Sequence, residues 1–212
     1  MPEIKFCGLT RPEDVAHAIT LDADYVGVVL APSPRRVVLD DAVRLLESSA
    51  GTARRVGVFV SPSVDALQEA VRRLGLHAVQ VHGDLPLTVG ELRGVLGVHV
   101  WRVAAVEGST MARVVGPEAA DVLLFDTSVG GRTGGTGQPF DWRAARSGIE
   151  AFRGRARLAI AGGLTPSNVA DAIGALSPDI VDVSSGIEIT PGIKDHGLMS
   201  AFAAAVRATR SA

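Results

Sequence analysis

The sequence predicts an α/β protein of one architecture, a single-domain (β/α)8 TIM barrel over residues 1–212, and three observations carry that expectation. Eight short apolar runs alternate with helical patterns along the chain. The unexpected polar residues fall at the C-terminal ends of those runs. Two glycine clusters follow the seventh and eighth. Eight units in this length give ~26 residues each, close to the minimum for a closed barrel. An open doubly wound sheet would usually have fewer strands or a glycine-rich first turn. The first turn here is Cys7-Gly8-Leu9-Thr10, and no linker or composition shift divides the chain.

The strands are expected at Ile4–Gly8, Tyr25–Leu30, Arg55–Val60, Ala78–His82, Val98–Val103, Val122–Asp126, Leu158–Ala161 and Ile180–Ser184. Each is rich in Val, Ile, Leu or Phe and short enough to be a parallel strand covered on both faces. Between the first two, Thr10 and Glu13 have capping-box spacing, followed by Val15 and Ile19 on one helical face. After the third, Val64, Leu67, Val71 and Leu74 recur at helical spacing and Gly75 supplies a stop. The helix expected around Ser109–Gly116 is weakly patterned. Thr165-Pro166 reads as an N-cap with proline at the first helical position, ahead of Val169, Ile173 and Leu176. Leu198, Phe202 and Val206 give the last helix its apolar face.

Composition excludes several function classes. Hydrophobic residues make up 47% and charged residues 21%, enough for a substantial core. The net charge of −2, from 21 basic and 23 acidic side chains, gives no footprint for nucleic acid or an anionic membrane. The single cysteine rules out an intrachain disulfide and a cysteine cluster for zinc. The start of the sequence shows no signal-peptide pattern, and the apolar runs fall far short of the ~20 residues of a membrane span. These features imply a soluble, cytoplasmic protein. Mixed exposed helix faces leave monomer and homodimer both open.

The strand ends suggest where chemistry sits. Cys7, His82, Asp126 and the Asp182/Ser184 pair all lie there, and alternation puts Lys5 with Cys7 and Gln80 with His82 on common faces. Singly, each has an ordinary explanation, since thiols bury readily and aspartates cap turns. In a barrel, however, all these ends converge on one mouth. Gly162-Gly163 and Ser185-Gly186 follow strands seven and eight, the usual place for a phosphate held by backbone N–H groups. Gly134, Gly135, Thr136 and Gly137 close a run of glycines that lacks the ending of a P-loop, and a mobile lid over the mouth is the expectation.

Nine stretches together resemble the phosphoribosylanthranilate isomerase family over essentially the whole chain. They are Lys5–Thr10, Ser33–Val37, Val56–Val60, Val79–Asp84, Leu123–Thr127, Gly134–Gly137, Ala161–Leu164, Val181–Gly186 and Pro191–Asp195. The resemblance implies an Amadori rearrangement of a phosphorylated aminoribose carrying anthranilate, a step of tryptophan biosynthesis that needs no cofactor and no metal. It implies Cys7 as base and Asp126 as acid, with Arg35, His82 and Asp182 binding the substrate. A base of this kind needs some thiolate, favoured by nearby positive charge, whereas Asp126 must hold its proton in a dry, anionic setting. The loop Leu30–Pro34 looks one residue shorter than is usual in the family. Counting from Gly27 by the commonest loop length would make Arg36 the substrate arginine; matching Ser33-Pro34-Arg35-x-Val37 favours Arg35. Rival readings are a histidine-pathway or dual-specificity isomerase, expected to carry aspartate in place of Cys7, indole-glycerol-phosphate synthase, which lacks the cysteine motif, and a silent sugar-phosphate-binding barrel.

Overall fold

The computed structural model describes residues 1–49, 51–108, 110–111, 120–129, 132–133 and 139–209. Eight parallel strands form the barrel: β1 Glu3–Phe6, β2 Tyr25–Val29, β3 Arg54–Val60, β4 Ala78–His82, β5 His99–Glu107, β6 Val122–Val129, β7 Arg157–Ile160 and β8 Ile180–Val183. Each pairs with the next, and β8 returns to β1 in the register Lys5↔Asp182, so the ring is closed. The helices are α1 Pro12–Thr20, α2 Leu39–Leu45, α3 Val64–Leu74, α4 Val89–Leu96, α5 Trp142–Glu150, α6 Val169–Leu176 and α7 His196–Ala208.

Two apolar layers hold the ring. The larger lies between strands and helices, where outward residues such as Phe6, Val79, Phe125 and Val181 meet Val15, Leu67, Leu92 and Phe202. The smaller fills the barrel itself with Tyr25, Val56, Trp101, Leu124 and their neighbours. Trp101 is fully buried and meets the Tyr25 ring edge-on at 5.0 Å. Period-two alternation feeds the outer layer from every strand and the inner layer from β2 to β8, while β1 sends Lys5 inward, so a one-residue slip would exchange core for site.

The N-terminal end of the barrel is tied by charge. Glu3 accepts from Arg54 at 2.5 Å, from Arg157 at 2.5 Å and from the Tyr25 hydroxyl at 3.0 Å. The Arg54 guanidinium also lies 3.9 Å over the Tyr25 ring.

Several helix boundaries differ from expectation for tertiary reasons. Thr10 caps nothing: its hydroxyl donates to the Gly192 carbonyl at 2.5 Å, and α1 opens at Pro12. Thr165-Pro166 does not open α6. A turn intervenes, in which Asn168 accepts from Thr165 N–H and donates to the Gly163 carbonyl, and the helix starts at Val169. In α7 the buried face is Met199, Phe202, Ala203 and Val206, while Leu198 is exposed. Of the helix expected around Ser109–Gly116, Thr110 and Met111 are instead extended and pair antiparallel with Val106 and Glu107; Ser109 and 112–116 lie outside the described residues. Strands β5 and β6 run further than predicted, and β6 turns back into a short antiparallel pairing with Arg132–Thr133. The α3 boundaries follow the pattern, with Ser63 capping the start and Gly75 left-handed at the end. No helix among the described residues is long and apolar enough to cross a membrane.

Candidate active site

The C-terminal mouth holds a cavity of about 570 Å³, large enough for a sugar phosphate with an aromatic substituent. Cys7, Arg35, His82, Asp126, Asp182, Gly162, Gly163 and Ser185 all line it. These residues come from six different strand ends or the loops that follow them, so ring closure is what assembles the set.

The floor is a buried polar network. Lys5 Nζ, with no solvent exposure, donates to Asp182 Oδ2 at 2.8 Å and to Gln80 Oε1 at 3.0 Å. Gln80 continues to His82 Nε2 at 3.2 Å. Asp182 Oδ1 is buried without a protein hydrogen-bond partner among the described residues. Such an atom costs folding free energy unless something else satisfies it, which marks it as a place for a ligand hydroxyl.

Burial separates the protonation states. It pushes Asp126 up to about 7, helped by the Asp182 charge, while the Thr127 N–H and Lys5 pull the other way. Asp126 can therefore hold a proton near neutrality, as a general acid must. Burial also raises the Cys7 thiol; Lys5 opposes this, Asp182 adds to it, and Lys194 opposes it. Burial, with Lys5 and Arg102, lowers His82 to about 4, so its imidazole is neutral at pH 7. Arg102 grips the strand on both sides of His82, donating to the carbonyls of Val81 at 3.0 Å and Gly83 at 2.8 Å.

Two glycines fix the rim by what they lack. Gly162 has φ +82, and a Cβ there would run into Thr127 Oγ1 and come 2.7 Å from Asp126 Oδ1. The loop after β7 thus packs directly against Asp126, at a separation only glycine permits. A Cβ on Gly186 would overlap the Leu164 carbonyl oxygen, so the loops after β7 and β8 are packed backbone to backbone. Gly186 stands behind this contact, whereas Gly162, Gly163 and Ser185 face the cavity. Gly134, Gly135, Thr136 and Gly137, the expected lid, lie outside the described residues.

The two arginines of the β2 loop point apart. Arg35 lines the cavity, whereas Arg36 is exposed and lies on the outer side of the loop. Arg35 is held by Glu188, donating from Nε at 2.8 Å and from Nη2 at 2.7 Å. Glu188 also accepts from Lys194 Nζ at 2.8 Å. Both come from a hairpin, Glu188–Thr190 with Ile193–Lys194, that follows β8. Sequence reasoning named neither Glu188 nor Gln80 as a site residue. The only signal was that Lys194 falls in the Pro191–Asp195 stretch and that Gln80 shares a face with His82.

Comparison with known proteins places this geometry. Residues 4–205 match the family model for N-(5'-phosphoribosyl)anthranilate isomerase. The N-(5'-phosphoribosyl)anthranilate isomerase of Streptococcus pneumoniae is 41% identical over 203 residues, covering 95% of this chain and 94% of its own. That of Hyphomonas neptunium is 40% identical over 214 residues, covering 99% of each. The solved phosphoribosyl anthranilate isomerase of Thermotoga maritima superposes with a TM-score of 0.83 at 33% identity, over 100% of both chains. A phosphoribosyl anthranilate isomerase complexed with reduced 1-(o-carboxyphenylamino)-1-deoxyribulose 5-phosphate superposes at 0.77 with 32% identity, over 98% of this chain and 100% of that one. With a closed barrel and relatives aligned end to end, the chain belongs to the N-(5'-phosphoribosyl)anthranilate isomerase family, the aldose–ketose isomerases of tryptophan biosynthesis.

Proposed function

We propose that this chain carries out the family's rearrangement with Cys7 as general base and Asp126 as general acid. Asp126 protonates the ribose ring oxygen, the ring opens, and the anilino nitrogen forms a Schiff base with C1′. The Cys7 thiolate then takes the C2′ proton, and the C–H electron pair moves into the C1′–C2′ bond to give an enolamine. The enolamine becomes the ketone, the product being 1-(2-carboxyphenylamino)-1-deoxyribulose 5-phosphate. The observation that carries this reading is the raised carboxyl of Asp126, which faces the same cavity as the Cys7 thiol. Acid and base need separated environments, and here one carboxyl is kept protonated while the thiol lies near three cations.

The substrate's other groups have places on the same wall. The phosphate sits on the backbone of Gly162, Gly163 and Ser185, with Gly186 packing the second loop against the first behind them. Asp182 Oδ1 and neutral His82 take ribose hydroxyls. Arg35 faces the anthranilate carboxylate, for which a planar guanidinium is suited. Residues 1–212 act as one domain in the cytoplasm, as a monomer or a homodimer; the Thermotoga maritima relative is described as dimeric. The test is Cys7→Ala. Turnover, followed by loss of the substrate's fluorescence, falls by ~10²-fold or more while binding of the reduced product analogue survives. Near-normal turnover would remove Cys7 from the role of base.

A further inference from the structure

A thiol buried in a cavity is a poor base unless something stabilises its anion, and burial here pushes Cys7 the wrong way. Four charged groups face it: Lys5 on its own strand, Asp182 on β8, Lys194 on the hairpin beyond β8, and Arg35 on the loop after β2. Arg35 and Lys194 are already engaged by one carboxylate, Glu188. Lys5 is different. Its ammonium has three N–H donors, and two are used, one on Asp182 and one on the neutral Gln80.

The Lys5 stem and the Cys7 sulfur meet at one point of the inner face. Lys5 lies on β1 and Cys7 just past its end, where the Cys7 N–H continues the ladder to the Val183 carbonyl at 2.9 Å, so the two project to the same side. Both close on Gly27 of β2, where a Cβ would sit 3.0 Å from Cys7 Sγ and 3.2 Å from Lys5 Cε. Gly27 is the gap that lets the thiol and the lysine stem share one face of the barrel. Lys5 cannot swing away, because its stem has no solvent exposure and its head is pinned across the ring.

We propose that Lys5 is a positioning residue for the base: its fixed ammonium stabilises the Cys7 thiolate that accepts the C2′ proton, and Asp182 and Gln80 hold it there. The inference rests on the reading of Cys7 as base. Lys5 keeps its proton throughout; the sulfur alone gains one, as S–H, when the enolamine forms. Asp182 has the opposite effect on the thiol, since its negative charge draws on the same ammonium. Removing Lys5 and removing the Asp182 charge should therefore shift Cys7 in opposite directions, which a merely structural pair would not do.

Cys7 is the only cysteine in the chain, so the pH profile of its alkylation by iodoacetamide, read by mass, reports this one thiol. Lys5→Met should move the profile up by one pH unit or more, and Lys5→Arg should stay nearer to wild type. Asp182→Asn should move it down. At pH 7, kcat of Lys5→Met should fall about tenfold or more with KM changed less, because a unit in thiolate pKa is a tenfold change in its population. A Lys5→Met profile that superposes on wild type overturns the proposal. If Lys5→Met does not fold, Asp182→Asn decides alone, and an unchanged or upward shift overturns it. Alkylation needs no substrate. Opposite shifts in a chain that fails to consume phosphoribosylanthranilate would uphold the Lys5–Cys7 coupling and remove the isomerase reading.

Discussion

The two ends of this barrel are both built from charge, and they use it in opposite ways. At the N-terminal end each Glu3 oxygen is paired, Arg54 stacks on Tyr25, and all the charged groups keep some contact with water. At the C-terminal end Lys5, Asp126 and Asp182 are almost wholly buried, and Asp182 Oδ1 and Thr127 Oγ1 are left without protein partners among the described residues. The first arrangement returns more in paired charge than its partial burial costs. The second spends stability on buried groups that the described residues leave unsatisfied. A (β/α)8 barrel can afford this because its mouth is lined by loops while its foot is strand.

The sharpest way to break that comparison is Asp126→Asn. If the mouth trades stability for activity, turnover drops by ~10²-fold or more while the fold gains stability. The sign follows from Asp126 standing at about 7 against an ordinary 3.8. Wild type loses stability as pH rises from about 4 through 7, because the folded carboxyl must ionise in a dry site. Asparagine escapes that loss. Thermal melts should show the variant ahead by several degrees at pH 8, on the order of 1–4 kcal/mol, and level with wild type near pH 4. A variant less stable at pH 8 would mean the Thr127 N–H bond to the carboxylate outweighs its burial.

Next in size is the arginine pair. Arg35→Ala should lower kcat/KM by ~10- to 150-fold, the scale of a lost hydrogen bond to a charged group, while Arg36→Ala leaves it within about twofold. Steady-state kinetics of the two side by side decides whether inward direction, rather than loop length, identifies the substrate arginine. A larger loss for Arg36 would move the anthranilate contact to the outer side of the loop.

The smallest effect is expected at the foot. Arg54 and Arg157 overcome burial to hold Glu3 below its ordinary 4.5, so its contribution is present above that pH and fades as pH falls further. Glu3→Gln should cost about 1–2 kcal/mol at pH 7, or a few degrees in Tm, with no change in kcat. The deficit should shrink toward pH 3. A change in kcat without a change in Tm would mean that the foot is coupled to the mouth.

The strands and several residues that line the cavity were legible because two signals coincide: an apolar run marks each buried strand, and a polar residue at its end has no core reason to be there. Cys7, His82, Asp126 and Asp182 were readable in that way. Glu188 was not, since it sits after an irregular turn where a charge looks like an ordinary solvated residue; only the hairpin brings it to Arg35 and Lys194. Thr10 misled for the same reason. Its spacing to Glu13 fits a local cap, but the hydroxyl finds Gly192, 182 residues away. The start of α6 was displaced because Asn168 turns back to hold Gly163. Local patterns spoke reliably of elements and poorly of contacts between distant loops.

The Lys5–Asp182 bond joins residues 177 positions apart, across the seam where the last strand meets the first. On the proposed reading, until β8 docks the Lys5 ammonium has only Gln80 to hold it, and the half of the phosphate loop pair that follows β8 is missing. Catalysis is thus withheld from every partly assembled chain. During synthesis the chain can acquire most of its helices and strands and still be silent, becoming competent only when its final quarter closes the ring. In refolding, recovery of activity should trail recovery of helical signal, since long-range closure is the slow part of such a topology. The enzyme's own turnover then serves as a clock for the joining of its two ends.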